Sequence, residues 1–418
     1  MNGYPKVRNQ GSLQDIANYI HKFGPTRQPE LARQMGISRA AVNVHMARLR
    51  ESGLVMTVGS SQGSRGRPSD LLAINVQSNG VAVIYLGDAH LNAGLANLNQ
   101  EMLWQDRVHL SENVDNESLL KLLIEKVDHI RAEAHARGVT LRYAVISVAG
   151  KVDPRDGSIE VSTHFPNLHN MQIESRLQEV LGVPLKVFTG ASTLSAGALL
   201  QCGPDVNRIN IVEWGYGVGW TCSTRETPFG AIFPDWRPFS HIKVVPEGHR
   251  CYCGEQGCLE AEVGVRGILK QWEESGFAPA GAGLETLQSA LDAQDEKVIA
   301  LVEMAACRLG DHLSLLVQMS NPEVLMVESL FAGDLNRWRE AFLRGLWPRL
   351  HRSQAEKLKV EFFPAASISR VTGAFFLAEQ LFFDPELIRY VRVSGDYGAK
   401  DARSIPSFKD MLKASEIV

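Results

Sequence analysis

Three cysteines and a histidine crowd into 18 residues of this chain: His241, Cys251, Cys253 and Cys258. A segment that turns four such side chains toward one point can be neither a long helix nor an unbroken strand. Three thiolates and an imidazole fill a tetrahedral Cys3His set and leave no position open for water activation, so the expected ion is a structural zinc. Gly254 and Gly257 lie inside the span, where a chain folding around an ion needs residues tolerant of positive φ. Core cysteines without a ligand are the other reading of the same pattern. Cys202, Cys222 and Cys307 stand alone and are expected to act as small buried hydrophobes. Six thiols in 418 residues are too few for a disulfide framework.

A chain of 418 residues exceeds what one core usually organises, so two or three domains are expected. The N-terminal segment lacks an apolar signal region, and no unbroken apolar stretch reaches the roughly 18 residues of a membrane span. A soluble cytoplasmic protein is therefore expected, with no membrane partner. The net charge of −4 conceals an asymmetry: residues 1 to 75 carry ten basic and four acidic side chains, a balance of +6, which leaves −10 on the remainder. A basic head on an acidic body suggests a head that meets a polyanion.

Within that head, Leu13, Ile16, Ala17, Ile20 and Phe23 recur at helical spacing behind Ser12, a candidate N-cap. Gly24, Pro25 and Thr26 break this helix. A second is expected from Thr26, with Leu31, Ala32 and Met35 inward and Gly36 as its stop. Ser38 would cap a third, with Val42, Met46 and Leu49 inward and Arg39, Asn43 and Arg48 available outside. Two helices joined by Gly36 and Ile37 form a helix-turn-helix, whose second helix enters the major groove. Arginine and asparagine can each place two hydrogen bonds on a guanine or adenine edge. Strands at Leu54 to Val58 and Leu71 to Val76 would frame a wing whose loop carries Arg65 and Arg67, suited to a narrow minor groove. Ser38, Arg39, Asn43, Arg48, Arg65 and Arg67 are thus the candidate contacts to an operator duplex. A winged helix used for protein contacts is the alternative.

From Val81 the texture becomes alternating strand and helix: a strand at VAVIYLG, two more β segments, a helix at Glu117 to Arg137 and a strand at Tyr143 to Val148. A second lobe is expected from near residue 194. Glycines 215, 217 and 219 fit either a hairpin or a tight turn beside a phosphate.

Taken together, these residues resemble the ROK family of sugar kinases and repressors, over nearly the whole chain. HIKVVPEGHRCYCGEQGCLE at 241 to 260 is similar to the family's zinc signature, and VAGKVDPRDGSIEVSTHFPNL at 148 to 168 to its Pro-Asn-Leu loop. SNPEVLMV at 320 to 327 and GAFFLAE at 373 to 379 resemble later family segments. The RGRP wing looks like that of the repressor branch, whose members regulate glucose-, xylose- and N-acetylglucosamine-linked genes as dimers or tetramers. The resemblance implies an α/β fold: a winged helix-turn-helix at 1–76 followed by an actin-like, two-lobed sugar-kinase body. Its first lobe would span 77–193 and its second, with the zinc site, 194–385, the last helix packing back on the first lobe. A tail at 386–418 lies outside the resemblance and reads as a strap or a solvated arm.

Against the family's kinases, three parts of the machinery are replaced. Thr189 and Gly190 stand where the family has its Asn-Asp pair, and glycine cannot abstract a proton. The first phosphate loop becomes Tyr85 to His90, with Asp88 where phosphates would lie, and Glu328 and Ser329 replace paired glycines of the adenosine loop. The expectation is a non-enzyme. Of the sugar-binding residues implied by the resemblance, Asn167, His241 and Glu260 are kept, while Pro238 replaces a glutamate. Each lost charge-assisted hydrogen bond is worth roughly 1.5–3 kcal/mol. A plain hexose is not expected to bind as in the kinases: either the effector is a modified or less hydroxylated sugar or the pocket senses none, with Phe233, Trp236 and Phe239 lining an apolar cleft or simply packing in a core. The reading is a homodimeric or homotetrameric repressor of carbohydrate genes. Its alternatives are a regulator whose body docks a protein partner and an active ROK kinase.

Overall fold

The computed structural model describes residues 12–61, 69–87, 89–153, 155–162, 165, 167–202, 205–224, 239–251, 253–331, 336–365 and 368–383. In the head, α1 (Leu13–Phe23), α2 (Gln28–Met35) and α3 (Arg39–Glu51) bury Ile16, Ile20, Leu31, Met35, Val42, Met46 and Leu49 against one another. Ser12 caps the first helix as expected, accepting from the Asp15 amide, and Asp15 reaches back to the Ser12 amide to close a capping box. The second helix opens two residues later than expected. Thr26 and Arg27 form a short strand β1, paired with Leu72 and Leu71, and the helix begins at Gln28 with Pro29 in its first turn. The wing strands are likewise shifted: β2 covers Val55–Ser61 and β3 Ser69–Ile74, giving a sheet of order β1-β3-β2.

The body divides into two compact units. One takes the chain up to Gly190 and again from Ala374, and so includes the head; the other spans Ala191–Gly373. In the first unit, β4 (Asn79–Gly87), β5 (His90–Asn97) and β6 (Met102–His109) form an antiparallel meander. After α4 (Asn116–Ala136), β7 (Thr140–Val148) lies parallel to β4, and β11 (Leu185–Thr189) parallel to β7, for an order β11-β7-β4-β5-β6. Every residue of β4 is buried, as expected of a strand with a parallel neighbour and covered faces. Between β7 and β11 come a small sheet of β8 (Gly150–Val152), β9 (Ile159–Ser162) and β10 (His169–Met171), and helix α5 (Glu174–Leu181).

In the second unit, α6 (Gly190–Gln201) leads to β12 (Arg208–Trp214) and β13 (Val218–Thr224), an antiparallel pair, and β14 (Val324–Ser329) and β15 (Lys359–Pro364) add parallel strands beside β12. Helices α7 (Leu259–Val263), α8 (Val265–Glu274), α9 (Leu284–Asp292), α10 (Glu296–Ser320) and α11 (Asn336–Leu346) build its main core. Gly310 on α10 and Gly345 on α11 let the two backbones touch: a Cβ at Gly310 would lie 2.1 Å from the Phe342 carbonyl oxygen. The short α12 (Arg352–Ala355) precedes β15, and α13 (Arg370–Phe383) starts in the second unit and ends in the first.

At its far end α13 holds the head. The His21 ring stacks on Phe383 at 4.0 Å, and its Nε2 lies 3.4 Å from Glu379 Oε1, whose other oxygen accepts from Gln100 at 3.1 Å. Burial holds the Glu379 acid up to about 7 and presses His21 down to about 4. No helix among the described residues is long and apolar enough to cross a membrane. The tail at 386–418 falls outside the described residues.

Candidate nucleic-acid interface and metal centre

Gly36 ends α2 in the left-handed region at φ 66°, and the chain re-enters a helix at once because Ser38 accepts the Ala41 amide at 3.1 Å. This short turn sets α3 against α2 with its inner stripe fully buried and its outer face free. Ser38, Arg39, Asn43 and Arg48 are all exposed, as are Ala40, Val44 and Ala47 between them. The first turn carries no acid. Val44, 54 % exposed on a helix with an apolar inner face, was passed over in the sequence because it looks like core; beside Asn43 it offers a contact to a thymine methyl group. Arg50 is turned elsewhere, donating to Asp70 at 2.7 Å and Thr57 at 3.2 Å, and so braces the two wing strands on α3. Arg65 and Arg67 lie outside the described residues.

The second constellation is assembled by a short 3-10 turn (Phe239–His241) and the loop before α7. Cys251 Sγ lies 3.4 Å from His241 Nδ1 and Cys253 Sγ 3.7 Å from Cys258 Sγ, and the four donor atoms lie within 4.8 Å of one another. Metal bonds of about 2.3 Å to sulfur and 2.0 Å to nitrogen at tetrahedral angles put donors roughly 3.5–3.8 Å apart. The residues therefore fit a metal ion. Burial pushes the Cys251 thiol up to about 12 and the Cys258 thiol up as well, so thiolates at these positions call for a cation among them. Gly257 at φ 70° passes so close to Val245 that a Cβ would lie 1.7 Å from its carbonyl oxygen. A ring of polar contacts fastens the loop: Lys243 pairs with Glu255 at 2.7 Å, and His249 is held between Glu262 at 3.1 Å and Glu274 at 3.0 Å. Both carboxylates keep His249 protonated to higher pH against its desolvation, and Arg308 closes the chain on Glu262 at 3.2 Å. These supports escaped sequence reasoning because none shares the ligands' spacing.

Glycines 215, 217 and 219 make the β12–β13 hairpin, with the Gly215 amide donating to the Gly217 carbonyl at 2.9 Å. Glu260, nearly buried, accepts the Val218 amide at 2.9 Å and lies directly under Gly217, setting an anion where a phosphate would bind. His241 and Glu260 belong to the second unit; Asn167, exposed and donating to the Asn113 carbonyl at 3.2 Å, belongs to the first. Phe239 packs in the second unit's core, while Phe233, Trp236 and Pro238 lie outside the described residues. A groove of 660 Å³ runs along α10 and α11, lined by Glu303, Arg308, Asp311 and Arg344 among others, and not by Asn167, His241 or Glu260.

At two of the three places where the resemblance implies kinase machinery, side chains fill the space. Thr189 ends β11 and Gly190 begins α6. The buried Tyr85 tucks its hydroxyl under Gly87, 2.5 Å from where a Cβ would stand, so an aromatic ring occupies the space beneath the loop; Asp88 lies outside the described residues. Glu328 is 2 % exposed, accepts the Ile368 amide at 3.2 Å and pairs with Arg370 at 3.3 Å, which also meets Glu213 at 2.6 Å. Two carboxylates thus crowd one guanidinium at the end of β14, and burial pushes the Glu328 acid above its ordinary range.

Two family models match the chain: the ROK family over residues 81–380 and winged helix-turn-helix DNA-binding over residues 14–56. The DNA-binding transcriptional repressor Mlc of Escherichia coli (strain K12) is 22 % identical over 333 residues, covering 78 % of this chain and 81 % of that protein. The N-acetylglucosamine repressor of Escherichia coli O157:H7 is 23 % identical over 339 residues, 75 % of this chain and 78 % of that one. In fold, a crystal structure of a ROK family transcriptional regulator, homolog of the E. coli MLC protein, superimposes with a TM-score of 0.73 at 18 % identity, over 91 % of this chain and 99 % of that one.

Proposed function

The chain belongs to the ROK family, and from that membership we propose that it is a DNA-binding transcriptional repressor of carbohydrate uptake or metabolism genes, located in the cytoplasm, whose body senses rather than phosphorylates. The observation that carries this reading is the outer face of α3, where Ser38, Arg39, Asn43 and Arg48 stand exposed on a head with a balance of +6. Arg39 and Asn43 would read base edges, and Arg48 with the wing arginines Arg65 and Arg67 would hold phosphates and the minor groove. The head would take 1–76, the lobes 77–193 and 194–385. Paired heads on a homodimer or homotetramer would meet the two halves of a pseudo-palindromic operator. Relatives named for N-acetylglucosamine and xylose support a sugar or sugar derivative as effector, with Asn167, His241 and Glu260 as the contacts to test. Loss of the catalytic carboxylate at Gly190, the ring under Gly87 and the carboxylates at Glu328 and Glu213 support a body without phosphoryl transfer.

His241, Cys251, Cys253 and Cys258 would hold a structural zinc, which supplies a fixed cationic centre to an otherwise irregular loop. All four positions being protein ligands, it would take no part in chemistry. An effector acts only by binding two arrangements of the heads unequally.

Affinity for a duplex selected by the chain from a random library, measured against salt, tests the reading. A log–log slope steeper than about −3 with a preference of at least ~1000-fold over random duplex is expected. A slope no steeper than about −1, or no preference, would sink it. Sugar-dependent ATP turnover abolished by substitution at Tyr85 would favour the kinase reading instead.

A further inference from the structure

Arg142 is the most deeply buried charge described in the molecule, at 0 % exposure, and it sits on β7 of the body sheet rather than in any loop. Its place there is a bulge: Gly80 faces Leu141 and Val81 faces Tyr143, so Arg142 is the extra residue on β7, and the bulge re-aims its side chain out of the alternation. The guanidinium reaches the head. Its Nη2 donates to the Ser52 carbonyl, and its Nε donates to Asn79 Oδ1 at 2.6 Å. Ser52 is the C-cap of α3, where the helix dipole gathers negative partial charge. Asn79, also at 0 % exposure, donates in turn to the Gly53 carbonyl at 3.0 Å and the Asn75 carbonyl at 2.8 Å. The α3 terminus is thus gripped by two side chains of adjacent body strands. Among the described residues Arg142 makes no ion pair, and its Nη1 has no hydrogen-bond partner. A fully buried guanidinium left partly unsatisfied is a poor way to stabilise a sheet that could hold a leucine there. It is a good way to hold a carbonyl-rich helix end in one orientation.

We propose that Arg142, with Asn79, is the positioning residue that sets the angle of the recognition helix on the body, and hence the spacing of operator half-sites the chain accepts. The proposal rests on the DNA-binding reading above. It also supplies a route for an effector. Six residues of strand, about 20 Å, separate Arg142 from Val148, whose carbonyl lies 3.5 Å from where a Cβ on Gly190 would stand. One rigid strand therefore has the helix clamp at one end and the former catalytic position at the other.

The test uses the full-length chain, Arg142→Met, Arg142→Lys and Asn79→Ala, with two readouts. In hydrogen exchange of the free protein, amides at 49–58 of Arg142→Met should exchange at least ~10-fold faster, with β5 and β6 unchanged; Arg142→Lys, able to reach Ser52 with one donor, should lie between. On a duplex selected by the wild-type chain, Arg142→Met should bind the selected half-site spacing ~10-fold more weakly yet a single half-site within ~2-fold of wild type, flattening the spacing preference. A merely structural role would weaken every duplex alike and keep that preference, and this result would overturn the proposal, as would unaltered exchange at 49–58. If Arg142→Met does not fold, Asn79→Ala, which releases Gly53 from the same clamp, decides by the same two criteria. Should wild type select no duplex at all, the DNA-binding reading falls, while the exchange comparison still decides whether Arg142 is the clamp.

Discussion

The Cys3His loop and α3 are both short segments with their candidate chemistry on close spacings, yet they are held in place differently. The loop is fastened mostly from nearby: Lys243 to Glu255 across 12 residues, His249 to Glu262 across 13 and to Glu274 across 25, with Arg308 reaching Glu262 across 46 and four candidate ligands inside 18 residues. The helix is fastened from afar, by Asn79 across 26 residues and by Arg142 across 90. The difference teaches where each is vulnerable. Losing one ligand should undo the loop locally, whereas the helix can stay folded and lose only its aim.

The largest effect is therefore expected at the loop. Cys258→Ser should drop the bound metal from about one ion per chain to near zero by elemental analysis. It should destabilise the second unit by on the order of 5 kcal/mol, less than the roughly 10–16 kcal/mol of zinc binding to small peptides because the α10 core packs on apolar contacts of its own. A wild-type protein that holds no metal as purified, or a Cys258→Ser variant that melts with wild type, would remove the contrast between the two regions.

Next in size is the joint between α1 and α13. An acid lifted from 4.5 to about 7 keeps its proton in the folded chain after the unfolded chain has lost it. Its relative stabilisation is full below about 4.5 and is lost as pH rises through 7. His21, lowered from 6.5 to about 4, has the opposite slope, so that between about 4.5 and 6.5 the two cancel. Glu379→Gln should accordingly be more stable than wild type at pH 8 by up to roughly 3 kcal/mol and nearly equal to it at pH 4.5. Its stability should climb between pH 4 and 6.5 where that of wild type stays flat. Melting curves across that range read both slopes; a parallel pair would mean that Glu379 is not the buried acid of the joint.

What could be read in the sequence follows the same division. Ser12, Gly36 and Ser38 announced the helix ends because capping is settled within four residues, and the Cys3His spacing announced its cluster for the same reason. The start of α2 was misplaced because Thr26 is claimed by Leu72, 46 residues on, and no local pattern marks that pairing. Arg142 was invisible: a lone arginine in an apolar strand reads as an edge residue until the bulge and the α3 terminus are seen together. The resemblance names Glu260 as a candidate sugar contact, but its hydrogen bond to the hairpin amide depends on α7 packing under β12 and β13, which spacing does not encode.

On α3 itself the expected losses are moderate and depend on the base read. Arg39→Ala and Asn43→Ala should each cost about 1–3 kcal/mol on the selected duplex and relax the preference at one base pair, leaving random duplex nearly unaffected. Arg48→Ala, a phosphate contact in this reading, should weaken both duplexes alike and flatten the salt slope by about 1. Interchanged outcomes would mean that the helix lies in the groove rotated by nearly half a turn.

The smallest effect is expected at Arg50 and Asp70. Both side chains are well exposed, 38 % and 50 %, so the 2.7 Å ion pair is screened and should contribute under about 1 kcal/mol. Asp70→Ala should hardly move the melting temperature. It would also free Arg50 on the basic head, so affinity for random duplex at low salt should rise about twofold while stability stays put. A stability loss well above 1 kcal/mol would show instead that the wing is clamped to α3 as firmly as α3 is to the body, and the distinction between locally and remotely held elements would not extend to the wing.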